Sequence, residues 1–148
     1  MHHLFIPPVL WAVLLGLMVY ARETLPLGSL LDTPARLGGV AVIAAGLGIQ
    51  AVAAGQFLRA RTNLHAFGDP DRLVTDGLFA LSRNPMYLGF VLTLAGAALL
   101  LNTLSALAGP VVFFLVANAW YIPREERLAE AIFGDAYRAY RARVRRWL

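Results

Sequence analysis

The chain contains no cysteine and no lysine. Without cysteine there is no disulfide, no thiolate metal site and no sulfur nucleophile. Without lysine there is no amine to form a Schiff base with a carbonyl substrate. Acidic residues are few, nine against thirteen basic residues, all of them arginine. The net charge of +4 implies no nucleic-acid partner, because the arginines cluster beside apolar runs, where they can meet anionic headgroups. What dominates is apolar. Of the 148 residues, 59% are hydrophobic, and mean hydropathy is +0.62, more than a soluble domain of this size carries.

The apolar residues fall in four blocks. Residues 4–20 form the first, with Pro7-Pro8 near its start, where a first helical turn tolerates proline. Met1-His2-His3 lacks the basic region of a cleavable signal, so this run reads as retained. Residues 37–58 form the second, about 33 Å long as a helix and enough to cross a bilayer. Its glycines, Gly38, Gly39, Gly46, Gly48 and Gly55, allow close helix approach in lipid and predict a centrally packed helix. Residues 86–101 and 104–122 are the third and fourth. Only Asn102-Thr103 separate them, so they form an antiparallel hairpin with Asn102 in the turn. Pro123 cannot donate to the Ala119 carbonyl and predicts a break or kink.

Residues 124–148 are charged and amphipathic. Leu128, Ile132, Phe133, Tyr137, Tyr140, Val144 and Trp147 recur at steps of three or four as one apolar stripe. Gly134-Asp135 is placed to end one helix and cap the next. The tail arginines Arg138, Arg141, Arg145 and Arg146 are available to headgroups. The expected fold is all-α: a single-domain polytopic membrane bundle of four transmembrane helices with an amphipathic C-terminal helical tail. Arginines crowd the connection 59–83 and the tail, while the Asn102 turn has none. By the positive-inside rule the connection, the tail and both termini are cytoplasmic, in the cell (inner) membrane.

Chemistry concentrates at Arg83-Asn84-Pro85-Met86-Tyr87-Leu88-Gly89. Asn84 suits an N-cap and Pro85 the first helical position, leaving the N–H groups of Met86, Tyr87 and Leu88 to attract an anion. Glu125 shares a helical stripe with Phe114, Asn118 and Tyr121 and is expected to face the bundle, where an acidic group is costly and usually functional. Its structural alternative is an ion pair with Arg83 or Arg124. Glu126 projects elsewhere, near Glu130, where solvation or a helix-start dipole contact suffices. The connection 59–83 carries Asn63, His65, Asp69 and Asp71. Their spacing matches no metal template, so no metal is expected, and the connection is long enough to be a lid. Exposed amides for a carboxylate, a Glu for an ammonium or ribose hydroxyls, and an aromatic face for a sulfonium fit S-adenosylmethionine.

Together, Gly77-Leu78-Phe79, the Arg83–Gly89 segment, Arg124-Glu125-Glu126, Phe133-Gly134-Asp135-Ala136-Tyr137-Arg138-Ala139-Tyr140 and the ending Arg143-Val144-Arg145-Arg146-Trp147 resemble the isoprenylcysteine carboxyl methyltransferase and phospholipid methyltransferase superfamily. The resemblance runs from about Asn63 to the C-terminus. It implies an integral membrane enzyme whose S-adenosylmethionine pocket is built from the C-terminal half. Asn84-Pro85-Met86-Tyr87, within Arg83 to Gly89, matches the His/Asn-Pro-x-Tyr cofactor segment. Glu125-Glu126 matches the paired-Glu motif, and Tyr137 and Tyr140 match the Tyr-x-x-Tyr pattern.

The sequence departs from the superfamily in two respects. Asn84 stands where the prenylcysteine branch has His. The Gly-x-Gly motif of the lipid-amine branch has no counterpart, since Gly46-Leu47-Gly48 lies mid-span. The implied acceptor is lipophilic, a prenylcysteine-like carboxylate or a lipid amine, reached from the bilayer past Gly48 and Gly55. Glu125 or His65 is placed to take a proton from an amine, and Asn63 or His65 to orient the acceptor. A membrane sterol-type reductase using NADPH and a non-catalytic membrane adaptor are the competing readings.

Overall fold

The computed structural model describes residues 7–29, 32, 36–60 and 72–148. Asn63 and His65 lie outside the described residues, as does most of the expected lid. Among the described residues the regular structure is all helical: α1 (Pro7–Thr24), α2 (Gly38–Ala60), a 3₁₀ turn (Gly77–Ala80), α3 (Pro85–Leu101), a second 3₁₀ turn (Leu104–Leu107), α4 (Ala108–Val116), a π turn (Ala117–Tyr121), α5 (Ile122–Phe133) and α6 (Asp135–Arg143). Among the described residues two runs are long and apolar enough to cross a membrane, α2 and the continuous Leu104–Phe133. Four were expected. α3 is apolar but has 17 residues, and α1 carries Arg22 and Glu23 in its last turn.

The exterior is apolar. α2 buries only Gly39, Gly46 and Ala53 and exposes Val40, Leu47, Val52 and Leu58. Val9, Val13, Leu17 and Val19 of α1 are exposed too. Monomers in water rarely show such continuous apolar surface, whereas lipid solvates it, which associates the chain with a membrane. α2 is therefore peripheral, not central as its composition predicts. Two of its glycines, Gly39 and Gly46, serve one seam, and the remaining faces carry Val and Leu together with the open Gly38, Gly48 and Gly55. At that seam a Cβ on Gly46 would lie 2.8 Å from the Gly89 carbonyl oxygen, and one on Gly39 would lie 2.5 Å from that of Gly96. Only hydrogen fits there. Gly48 and Gly55 meet nothing within 4 Å.

α3 is the central element. Its Tyr87, Leu94 and Ala98 join Phe113, Ala117, Tyr121 and Ile122 of the following helical run and Leu14 and Met18 of α1 in the main core. Trp11 Nε1 donates to Thr93 Oγ1 at 2.8 Å, tying α1 to α3. Asn102 ends α3 in the left-handed region (φ 52°), a conformation Asn tolerates, and opens the expected hairpin.

Pro123 does not break the chain. The missing N–H is absorbed upstream by the π turn, where Ile122 N–H bonds the Ala117 carbonyl, a widened turn of the kind that inserts one residue without ending a helix. The inserted residue rotates what precedes it. The buried line runs Phe113, Ala117, Tyr121 and Ile122, and Phe114, expected on that stripe, is 37% exposed. Gly134 (φ 53°) separates α5 from α6 and itself occupies the cap position. Asp135, expected there, sits in the first turn of α6 and pairs with Arg138. Along the tail stripe Tyr137 and Tyr140 are buried, while Ile132 is exposed.

Gly46→Val should force α2 from α3 and lower stability by about 1–3 kcal/mol, whereas Gly48→Val should be close to neutral. Thermal unfolding of the two variants in the same detergent checks this contrast.

Candidate functional site

One end of the bundle gathers the close of α2, the Gly77–Ala80 turn, the start of α3, α5, α6 and the C-terminal residues. Gln56 of α2 brackets the turn: its Nε2 donates to the Asp76 carbonyl at 2.9 Å and its Oε1 accepts from Leu78 N–H at 3.1 Å. The Tyr140 hydroxyl donates to the Phe79 carbonyl at 2.7 Å. That hydroxyl is buried rather than wet, so α6 is fastened to the turn preceding α3.

Arg83 is the junction. Its guanidinium donates to Glu126 Oε1 at 2.7 Å and to the carbonyls of Val144 at 2.9 Å and Arg141 at 3.0 Å, and its backbone N–H bonds the Arg145 carbonyl at 2.9 Å. Arg146 closes the other side: Nη2 donates to Glu126 Oε2 at 2.6 Å, Nε to Oε1 at 3.2 Å and Nη1 to Asn118 Oδ1 at 3.2 Å. Trp147 Nε1 donates to the same Asn118 oxygen, and the indole packs against Phe114. Asn84 occupies the N-cap position, but its side chain does not cap. Instead Nδ2 donates to the Arg146 carbonyl at 3.0 Å, and the Ser82 hydroxyl accepts from Asn84 N–H at 3.1 Å. The Arg146 carbonyl, which also accepts from the Ser82 hydroxyl at 3.3 Å, thus holds the cap side chain against the C-terminal residues.

The two glutamates therefore have roles opposite in part to those expected. Glu126, read as solvated, is the buried ion-pair partner, its side chain 12% exposed. Burial pushes its carboxyl up, but hydrogen bonds from Arg146 and Arg83 outweigh that and hold it below the ordinary range. Glu125, for which Arg83 or Arg124 was the structural alternative, instead accepts from the Tyr87 hydroxyl at 2.6 Å. The apolar part of the long helical run stops at Ile122, and Arg124, Glu125, Glu126 and Arg127 follow, so both carboxyls lie past its apolar stretch. Enclosure pushes Glu125 up to about 7; the Tyr87 hydrogen bond opposes this and the neighbouring Glu126 adds to it.

Around Glu125 the groups are aromatic and polar. Tyr87 stacks on Tyr121 with ring centroids 6.1 Å apart and planes 22° from parallel. The Tyr121 hydroxyl is buried without a partner among the described residues. The first intrahelical bond of α3 runs from Leu88 N–H to the Asn84 carbonyl, and the Met86 and Tyr87 amides ahead of it bond no acceptor among the described residues. This end thus offers two amides, a carboxyl near neutrality and stacked phenol rings.

Of the residues singled out from sequence, Arg83, Asn84, Tyr87, Glu125, Glu126, Tyr137 and Tyr140 come together here. Pro85 is buried at the start of α3. Met86 turns to the small cluster of Ala53, Val74 and Phe79, and Leu88 is half-buried. Gly89 faces away, against Gly46 and Gln50 of α2. Arg146, Asn118, Ser82 and Tyr121 were not singled out for this site. Arg146 stands among other arginines of the same tail, and no local signal separates one that turns inward from those that meet water.

The phospholipid methyltransferase family model matches residues 34–136. The chain belongs to that family. Within its wider superfamily, a Schizosaccharomyces pombe protein-S-isoprenylcysteine O-methyltransferase is 40% identical over 75 residues, 49% of this chain and 30% of that protein. Protein-S-isoprenylcysteine O-methyltransferase B of Arabidopsis thaliana is 38% identical over 74 residues, 49% of this chain and 37% of that protein. The matches thus span about a third of those two methyltransferases. An uncharacterized Haemophilus influenzae protein is 46% identical over 63 residues, 43% of this chain and all of that protein. No solved structure matches.

For this family member the Arg83–Glu126–Arg146 clamp gives a direct test. Glu126→Gln keeps the shape but leaves two arginines unneutralised, and should cost about 3–5 kcal/mol. Adding Arg146→Gln should cost less than the sum of the single changes. The lowered carboxyl means the clamp stabilises fully above the ordinary carboxylate range and fades as pH falls through the lowered folded value. Unfolding in detergent across acidic pH should show that loss in the parent and a flatter response in Glu126→Gln.

Proposed function

We propose that this protein transfers a methyl group from S-adenosylmethionine to a lipophilic acceptor at the cytoplasmic face of the inner membrane. The observation that carries the reading is the Glu125–Tyr87 pair at 2.6 Å beside the unbonded Met86 and Tyr87 amides, in a chain of the phospholipid methyltransferase family. The donor set fits the cofactor. Two amides at a helix start take a carboxylate, ionised Glu125 takes an ammonium or ribose hydroxyls, and the Tyr87 and Tyr121 rings offer a π face to a cation. The orphaned Tyr121 hydroxyl is a further polar group for a ligand to satisfy. In this reading Arg83, Asn84 and Glu126 shape the pocket through the tail, and Tyr137 and Tyr140 wall it.

When bound, the cofactor supplies an electrophilic methyl group on a sulfonium. The chain's task is then mainly to position the acceptor about 3–3.5 Å from that methyl, in line with the breaking bond, and to exclude water. A carboxylate acceptor needs no base, and the S. pombe and A. thaliana relatives, protein-S-isoprenylcysteine O-methyltransferases by name, favour one. An amine acceptor must first lose a proton, which Glu125 or His65 would take. Asn63 or His65 is assigned to acceptor orientation.

In the membrane, α1, α2, α3 and the apolar part of the last helical run make four spans, with both termini cytoplasmic. This placement is supported by the gathering of Arg59, Arg83 and the basic tail at one end of the bundle. Reporter fusions should read cytoplasmic at Arg72 and Leu148 and periplasmic at Asn102. A periplasmic signal at Leu148 would overturn the placement.

Glu125→Ala should weaken S-adenosylmethionine binding by about 1.5–3 kcal/mol, the worth of a charge-assisted hydrogen bond. Because Glu125 must be ionised to hold an ammonium, parent affinity should rise as pH increases through about 7, and Glu125→Gln should lack that rise. Calorimetric titration in detergent measures both. Unchanged affinity in Glu125→Ala, or binding of NADPH in place of S-adenosylmethionine, would overturn the assignment.

A further inference from the structure

The opposite end of the bundle, about 25 Å away along α3, carries a second polar feature. A cavity of about 300 Å³ lies between the end of α1, the approach to α2 and the turn after α3, lined by Arg22, Ser29, Arg36, Asn102 and Thr103 among others. We propose that this cavity holds a phosphate group, supplied by the headgroup of an anionic phospholipid.

Three observations carry the proposal. First, among the described residues the cavity's charged lining is two arginines and no acid. Glu23 approaches Arg22 only at 3.8 Å through Nε, and Asp32 meets Arg36 through its backbone carbonyl at 3.2 Å. Neither acid lines the cavity, so the outer nitrogens of both guanidinium groups have no acidic partner among the described residues. Second, hydroxyl and amide side chains of Ser29, Asn102 and Thr103 complete the wall. Two planar guanidinium forks with neutral polar groups in the same lining match the oxygens of a phosphate. Third, the rim at this end is apolar. Tyr20, Leu25, Leu27 and Leu37 are each more than 60% exposed. A Tyr at this depth belongs to the headgroup level of a bilayer, and the leucines would lie along the acyl chains of a lipid seated by its phosphate. The site is independent of the methyl-transfer reading, since it shares no residue with the Glu125 end.

The test uses the full chain purified in detergent. Native mass spectrometry would compare retention of phosphatidylglycerol with that of phosphatidylcholine of matched acyl chains. The proteins are the parent, the Arg22→Gln/Arg36→Gln double variant, and Arg127→Gln as a charge-loss control on exposed α5 surface. The parent should retain phosphatidylglycerol in preference, the double variant should bind it roughly tenfold or more weakly, and Arg127→Gln should match the parent. Unliganded thermal midpoints establish that the double variant is folded. A second arm adds inorganic phosphate to delipidated protein and follows the thermal midpoint. A rise in the parent that the double variant lacks, without preferential lipid retention, would keep the phosphate site but overturn the lipid as its source. If the double variant differs from the Arg127→Gln control toward neither ligand, the proposal is wrong.

Discussion

The carboxylate of Glu126, held between Arg83 and Arg146, is the interaction on which the candidate site depends. Arg83 belongs to the approach to α3, Glu126 to α5 and Arg146 to the C-terminal residues, so one anion joins three segments distant in sequence. Charges this enclosed persist only when neutralised and hydrogen-bonded, and here both carboxylate oxygens are engaged and Arg83 also bonds two tail carbonyls. The consequence for Glu125 is geometric. Neighbours on a helix point about 100° apart, so fixing Glu126 toward the tail fixes Glu125 toward Tyr87. The group proposed to meet the cofactor is thereby oriented by one that does not have to touch it.

The rest of the bundle follows from lipid as solvent. Where apolar surface gains little by leaving lipid, helices associate through close backbone approach, and α2 meets α3 through paired glycines while its other faces stay exposed. Polar groups collect at the two ends. One end has the clamp, the tyrosines and the open amides. The other has two arginines round a cavity. α3, whose N-terminus opens the first and whose left-handed Asn102 closes on the second, joins the chemistries.

Much of this architecture was legible in the sequence because it is local. Asn102-Thr103 between two apolar blocks reads as a turn, and Gly134 reads as a helix end. The Arg83–Gly89 and Glu125-Glu126 motifs carried the family. What escaped was set by tertiary competition. Pro123 reads as a break or kink; the helical run continues through it, widening into a π turn one step earlier, and that inserted residue shifts Phe114 off the predicted stripe. Asn84 reads as a cap, but the Arg146 carbonyl competes for its side chain. Glu126 reads as solvated, because nothing in its neighbourhood of sequence announces arginines 43 and 20 residues away. The glycines of α2 read as a central helix, whereas only Gly39 and Gly46 pack, at one seam, and Gly38, Gly48 and Gly55 face open space.

The account makes the clamped end of α3 a methyl-transfer site whose acceptor is lipophilic. The most direct test is transfer of radiolabel from S-adenosylmethionine into the lipid extract of membranes carrying the parent protein, with Glu125→Ala and empty membranes alongside. The account predicts label in a lipid-extractable acceptor from the parent alone. Label at the level of empty membranes, from a parent shown to bind the cofactor and supplied with prenylcysteine-like and lipid-amine acceptors, would contradict it.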